Sequence, residues 1–247
     1  MKRDLRSLAP DEETRLHAVL QLLLAKLFTR PGRRYRTGSR GRTIEFRGTF
    51  RKSVRSQGEF LTLVRREPKL VRRRIALLGD VSGSMDVYSR FFLRLSQGIA
   101  RLEPHTEVYA FSTRLFRLTE TVRSRDFAFA LERLSAQTVG WSGGTRIGDC
   151  LKEFNDALGR ESHLRQVVAV IFSDGWDRGD AATLRREMVR LKGSAARVYW
   201  LNPLKGDPDY RPLCRGMSTA LPYLDGFFAA HNAESLARFA RRLARVR

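Results

Sequence analysis

Residues Ile75-Ala76-Leu77-Leu78 are apolar without a break, and the run stops abruptly at Gly79-Asp80. A strand with one wet face alternates apolar and polar side chains, whereas a strand apolar at every position is covered on both faces, as in a parallel sheet. Parallel neighbours require crossover connections, so the flanking chain must supply helices. A second buried run, Gln166 to Phe172, ends in the same way at Ser173-Asp174-Gly175.

The rest of the sequence meets that demand. Helical periodicity predicts helices over Val87 to Leu102, with Phe91, Phe92, Leu95, Ile99 and Leu102 on one face, and over Phe127 to Leu134, Ile147 to Leu158 and Ala181 to Leu191. Glu107 to Ser112 and Val198 to Leu201 read as strands, Leu115 to Leu118 as an edge strand, and Ala233 to Val246 as a basic closing helix capped by Asn232. Strands alternating with helices at this spacing predict an α/β fold with a doubly wound parallel sheet. Before it, Pro10-Asp11-Glu12-Glu13 opens a helix whose stripe is Leu16, Val19, Leu20, Leu23, Leu24 and Leu27, ended by Pro31-Gly32. Arg33 to Gly58 is rich in Gly, Ser and Arg, with isolated Tyr35, Ile44, Phe46 and Phe50; it reads as a basic, loosely ordered arm, followed by a short strand at Phe60 to Val64. The expected division is an N-terminal helix and arginine-rich arm over 1–70 and a domain over 71–247.

Charge constrains the partners. The 247 residues hold 47 Lys and Arg against 26 Asp and Glu, a net +21. Arg30 to Arg74 holds 16 basic residues against Glu45, Glu59 and Glu67, a net +13. Such a segment calls for nucleic acid, an anionic membrane surface or an acidic protein face. Cys150 and Cys214 show no pairing or metal spacing and are expected to be free thiols. The longest apolar cluster, Leu16 to Phe28, is interrupted by His17, Gln21 and Lys26, which excludes a membrane span there. The first residues lack a signal peptide's apolar core, so a cytoplasmic protein is expected.

Asp80, Ser82 and Ser84 stand at alternate positions after the first buried run. In a near-extended segment their oxygens point one way, and Gly83 lets the chain curl around whatever they hold. Hard oxygens with few charges suit Mg²⁺, with Mn²⁺ as an alternative, better than zinc. Taken singly, the serines read equally well as loop caps, Thr145 as a helix cap and Asp174 as an Asp-Gly turn. Together they place five oxygen-bearing residues on three loops at the carboxyl edge of one sheet, where open α/β folds bind ligands. No catalytic residue is assigned: Asp80 is not followed by the Asp-x-Asp of phosphoryl-transfer aspartates, the four histidines share no ligand spacing, and no Walker A pattern occurs. Trp176, Asp177, Arg178 and Asp180 follow the third loop and form either a docking rim or a salt-bridged turn.

Asp80, Ser82, Ser84, Thr145 and Asp174 resemble, in order and topology, the metal-ion-dependent adhesion site of von Willebrand factor A domains. That resemblance implies a six-stranded, mostly parallel sheet with one antiparallel edge strand. It also implies direct ligation of Mg²⁺ by Ser82, Ser84 and Thr145, with Asp80 and Asp174 contributing directly or through water. An open coordination position then attracts an acidic residue of a partner. Asp80-Val-Ser-Gly-Ser-Met, Phe111-Ser-Thr-Arg-Leu115, Trp141 to Gly148, Ser173 to Asp180, Trp200 to Leu204 and Ala230-His-Asn232 together are similar to the CoxE-like subfamily. Its members are implied to be non-catalytic adaptors acting with a MoxR-type AAA+ ATPase in maturing molybdenum hydroxylases, such as aerobic carbon monoxide dehydrogenase. On that reading Arg146, Trp176 and Asp177 line the docking rim, and Arg33, Arg34 and Arg36 meet an acidic partner surface. The alternative is a nucleic-acid-binding protein using the arm, in which Tyr35, Phe46 and Phe50 sit among arginines.

Overall fold

The computed structural model describes residues 29–38, 41–55, 63–72, 74–124, 126–138, 144–160, 167–232 and 234–239. The chain divides at Arg72: Thr29–Arg72 is one unit, and the described residues from Arg74 onward form another. The helix expected over residues 10–30 lies mostly outside the described residues.

The first unit is an antiparallel sheet with a helix. Strands β1 (Thr29–Thr37), β2 (Thr43–Ile44) and β3 (Arg65–Arg72) are ordered β1-β3-β2, and α1 (Phe46–Arg55) follows β2. Pairing runs from Thr29 opposite Arg72 to Thr37 opposite Arg66, with an irregularity between Pro31 and Tyr35. This corrects the expectation of a loosely ordered arm. Arg34, Tyr35, Arg36 and Thr37 are all exposed, so no apolar alternation marks the strand, and the backbone ladder holds it instead. The Arg66 guanidinium lies 4.9 Å from the centre of the Tyr35 ring, and Arg36 pairs with Glu67 at 2.9 Å. The strand expected over Phe60 to Val64 is displaced: 60–62 lie outside the described residues, Leu63 and Val64 are unpaired in a ladder, and β3 begins at Arg65. Helix α1 buries Thr49 and Ser53, and Thr49 Oγ1 accepts from Val64 N at 3.0 Å. Its other face leaves Phe46, Phe50 and Val54 exposed.

The second unit contains, in order, β4 (Ile75–Asp80), α2 (Asp86–Leu102), β5 (Thr106–Phe111), β6 (Leu115–Arg117), α3 (Thr119–Arg123), α4 (Phe127–Thr138), α5 (Ile147–Arg160), β7 (Val168–Phe172), α6 (Ala181–Ser194), β8 (Arg197–Asn202), α7 (Arg215–Ala220) and β9 (Gly226–Ala229). Residues 234–239 are helical, and Asn232 Oδ1 accepts from Ser235 N at 2.8 Å, the expected cap. The six strands are ordered β6-β5-β4-β7-β8-β9, all parallel except β6 at the edge. This is the doubly wound, mostly parallel α/β sheet that the pattern predicts, with β9 as a strand the sequence did not announce.

The unbroken apolar run of β4 has a direct explanation. Ile75 and Leu77 face a core with Phe91, Phe92 and Ile99 of α2, while Ala76 and Leu78 face Ile147, Leu151 and Phe154 of α5 and Leu184 and Met188 of α6. Burying each large side chain contributes about 1.5–3 kcal/mol relative to leaving it exposed. From β4 the chain runs out to β5 and β6, then returns to β7 on the opposite side. The carboxyl end of β4 is therefore the switch point of the sheet, where a crevice opens. Cys150 is buried, Cys214 is half-buried, and both are free. Among the described residues no helix is long and apolar enough to cross a membrane.

Candidate metal centre

Asp80 is the last residue of β4 and has no exposed surface. Its Oδ1 accepts from Ser82 N at 3.0 Å and lies 3.5 Å from Thr145 Oγ1, while its Oδ2 accepts from Ser173 Oγ at 2.7 Å. One carboxylate thus joins the loops after β4 and β7 to the approach to α5. Burial pushes its pKa up to about 6 against the hydrogen bonds of Ser82 and Ser173, and the nearby Asp174 charge adds to the rise.

The two serines converge by a turn. Ser82 is extended, but Gly83–Met85 is a 3₁₀ turn closed by Met85 N donating to Ser82 O at 2.8 Å. The hydroxyls of Ser82 and Ser84 lie 3.2 Å apart. Strand alternation alone is therefore not what brings them together. Ser82 is buried and Ser84 exposed, so the site grades from a dry floor to a wet rim.

Thr145 and Asp174, 3% and 2% exposed, each adjoin a glycine with positive φ, 79° at Gly144 and 82° at Gly175. A Cβ at Gly144 would meet the Arg178 side chain, and one at Gly175 would meet Met217. Asp174 Oδ1 accepts from Trp176 N at 2.9 Å, and Gly175 N donates to Ser173 Oγ at 2.9 Å. Gly143 lies outside the described residues.

Several positions that sequence reasoning did not assign to the site hold these loops. Trp200 Nε1 donates to Ser173 O, and Asn202 Nδ2 to Asp174 O, both at 2.9 Å. Cys214 Sγ lies 3.3 Å from Gly175 O. The second and third loops are joined by Arg178 N donating to Thr145 O at 2.8 Å. An indole N–H inside a buried strand requires an acceptor, which was a local signal for the role of Trp200. Ser173 offered no such signal, because its partner is 93 residues away.

The rim residues separate. Trp176 is 64% exposed. Asp177 turns inward, its Oδ1 accepting from Ile147 N at 2.9 Å and Gly179 N at 3.0 Å, and Asp180 caps α6 through Ala182 N and Thr183 N. Arg146 is exposed and pairs with Asp149 at 2.8 Å. Arg34 and Arg36 belong to the other unit, and the side chain of Arg33 lies outside the described residues.

The donor set fits a hard cation. Two oxygens on adjacent corners of an octahedral Mg²⁺ shell lie about 3 Å apart, close to the separation of the serine hydroxyls. Among the described residues no group of three or more His, Cys, Asp or Glu is placed to hold a metal, so the candidate donors are hydroxyls and two carboxylates.

The family described as VWA domain containing CoxE-like protein matches the chain over residues 16–236. No curated protein matches it. A von Willebrand factor type A structure from Catenulispora acidiphila is similar at 18% identity and a TM-score of 0.46, over 71% of this chain and 43% of that one. Proximal thread matrix protein 1 from the mussel byssus, solved with a zinc occupied MIDAS motif, is similar at 14% identity and a TM-score of 0.46, over 70% and 47%. An aerotolerance-related membrane protein from Bacteroides fragilis is similar at 15% identity and a TM-score of 0.40, over 70% and 98%. The chain spans less than half the length of the first two proteins.

Proposed function

Because the chain belongs to the family of VWA domain containing CoxE-like proteins, we propose that it is a non-catalytic adaptor that docks a partner protein through a Mg²⁺ site. The observation that carries this reading is the convergence of Asp80, Ser82 and Thr145 around one buried carboxylate, with Ser84 at the rim. Ser82, Ser84 and Thr145 would hold the ion, and Asp80 and Asp174 would complete its surroundings directly or through water. Bound there, Mg²⁺, or Mn²⁺ in its place, would supply an under-neutralised position for an acidic residue of the partner. Asp80 keeps the serine and threonine loops in register, Ser173 fixes the orientation of Asp80, and the exposed Ser84 leaves the rim open to an incoming side chain. The hydroxyls of Ser82 and Ser84 face one another at 3.2 Å, an arrangement that supports shared ligation of one ion.

The partners that the family resemblance supplies are a MoxR-type AAA+ ATPase and a molybdenum hydroxylase client, with the adaptor acting inside the cytoplasm. Calorimetry with Mg²⁺ and Mn²⁺ tests the site. The wild type is expected to bind either ion weakly, and Ser82→Ala with Ser84→Ala to bind neither. Equal heats from both proteins would remove the assignment.

A further inference from the structure

Beside the third loop, a groove of about 690 Å³ runs between Trp176 and the segment that follows β8. Its walls are mainly apolar: Trp176, Leu204, Tyr210 and Leu213, with Trp176 64% and Leu213 82% exposed. An indole and a leucine held open to water in one concave surface are costly to leave uncovered. Arg211 and Arg215 also line it. The Arg215 guanidinium is held in place, Nη2 donating to Asp177 O at 3.1 Å and Gly179 O at 2.7 Å. The one acid in the lining, Asp177, turns inward, its Oδ1 held by two backbone amides and its Oδ2 buried, so two arginines stand against one carboxylate. The groove therefore offers apolar walls and positive charge.

The groove shares a turn with the candidate metal centre. Trp176 N donates to Asp174 Oδ1 at 2.9 Å, so the groove's wall and a site carboxylate belong to one turn. On the opposite wall, Cys214 Sγ approaches Gly175 O in the same turn. We propose that the groove is the specificity half of the docking site and takes an acidic peptide segment of the partner with a large aromatic side chain seated between Trp176 and Leu213. This rests on the reading of the metal centre as a carboxylate dock. Charge selects the occupant: a second copy of a chain at +21 is repelled, while an acidic segment is attracted to Arg211 and Arg215. Large aromatic anchors in desolvated pockets carry much of the affinity at protein interfaces.

Three capped pentapeptides, DGGFE, DGGGE and GGGFE, test the assignment by two-dimensional amide NMR titration with Mg²⁺ and with EDTA. In Mg²⁺, DGGFE is expected to bind about tenfold or more tightly than DGGGE, the effect of burying one phenylalanine. It should shift the Trp176 indole and Leu213 signals, which DGGGE leaves in place. Leu213→Ser, on a side chain 82% exposed, should erase that advantage and leave the Mg²⁺-dependent binding of DGGGE unchanged. Arg211→Glu should weaken all three peptides. Equal, Mg²⁺-dependent affinities for DGGFE and DGGGE would overturn the groove and leave the metal dock standing. Affinities indifferent to EDTA would instead overturn the dock, and this inference with it. Self-association in sedimentation that Leu213→Ser disperses would give the groove to a second copy and overturn the peptide assignment.

Discussion

A carboxyl group with no exposed surface and a pKa raised to about 6 is charged at neutral pH against the preference of its surroundings. The unfolded value is 3.8, so between the two the folded state of the metal-free protein holds more of the Asp80 proton than the unfolded state. This group's contribution to stability is therefore full below the lower value and falls as pH rises through the window. Asp80→Asn removes the charge and keeps the shape. In EDTA its stability relative to wild type should rise across that window, reaching a gain of about 1–3 kcal/mol above it, read from urea midpoints at several pH values. The same variant should lose Mg²⁺ binding in calorimetry. A variant less stable than wild type at neutral pH in EDTA would make Asp80 a structural anchor and no more. The five candidate oxygen donors were legible because Asp80 and Asp174 end apolar runs and the serines and threonine stand beside glycines in fixed spacing. Ser173 and Asn202 were not assigned, because hydrogen bonds across 93 and 28 residues leave no local pattern.

Strands β4, β5, β7 and β8 announced themselves because each is buried at nearly every position. β1 and β3 did the opposite, being arginine-rich, with Arg34, Tyr35, Arg36, Thr37, Arg65, Arg66 and Lys69 exposed, and β9 is a four-residue edge strand only half-buried throughout. Periodicity reports burial, and where both faces meet water it is silent. The turn after β7 is the element most sensitive to a small change. Gly175 has φ 82°, and a Cβ there would press on Met217 of α7. Gly175→Ala should destabilise the protein by about 1–3 kcal/mol and weaken Mg²⁺ binding, measured by thermal melts with and without Mg²⁺. The same change at exposed Gly159, with nothing within 4 Å of its Cβ, should be neutral or slightly stabilising. Equal melts for the two variants would show that the turn is not strained.

Over the whole molecule, charge and chelation separate. The net +21 acts at long range and is screened by salt, whereas the candidate metal centre acts only on contact. Arg34→Gln with Arg36→Gln should slow association with a MoxR-type ATPase several-fold at low salt and leave its Mg²⁺ dependence intact, by stopped-flow at two salt concentrations with and without EDTA. Tight, steeply salt-dependent retention of an RNA oligonucleotide, with no EDTA effect on the ATPase, would move the nucleic-acid reading ahead. The tethers of the third loop run from Trp200, Asn202, Cys214 and Arg215 to the main-chain oxygens of residues 173, 174, 175, 177 and 179. Any amino acid supplies a carbonyl, so the side chain of Trp176 and the residues facing it at Leu204, Arg211 and Leu213 can be exchanged without loosening the grip on Asp174. A duplicated copy of this chain is thus free to vary its groove while inheriting unchanged the tethers that hold Asp174.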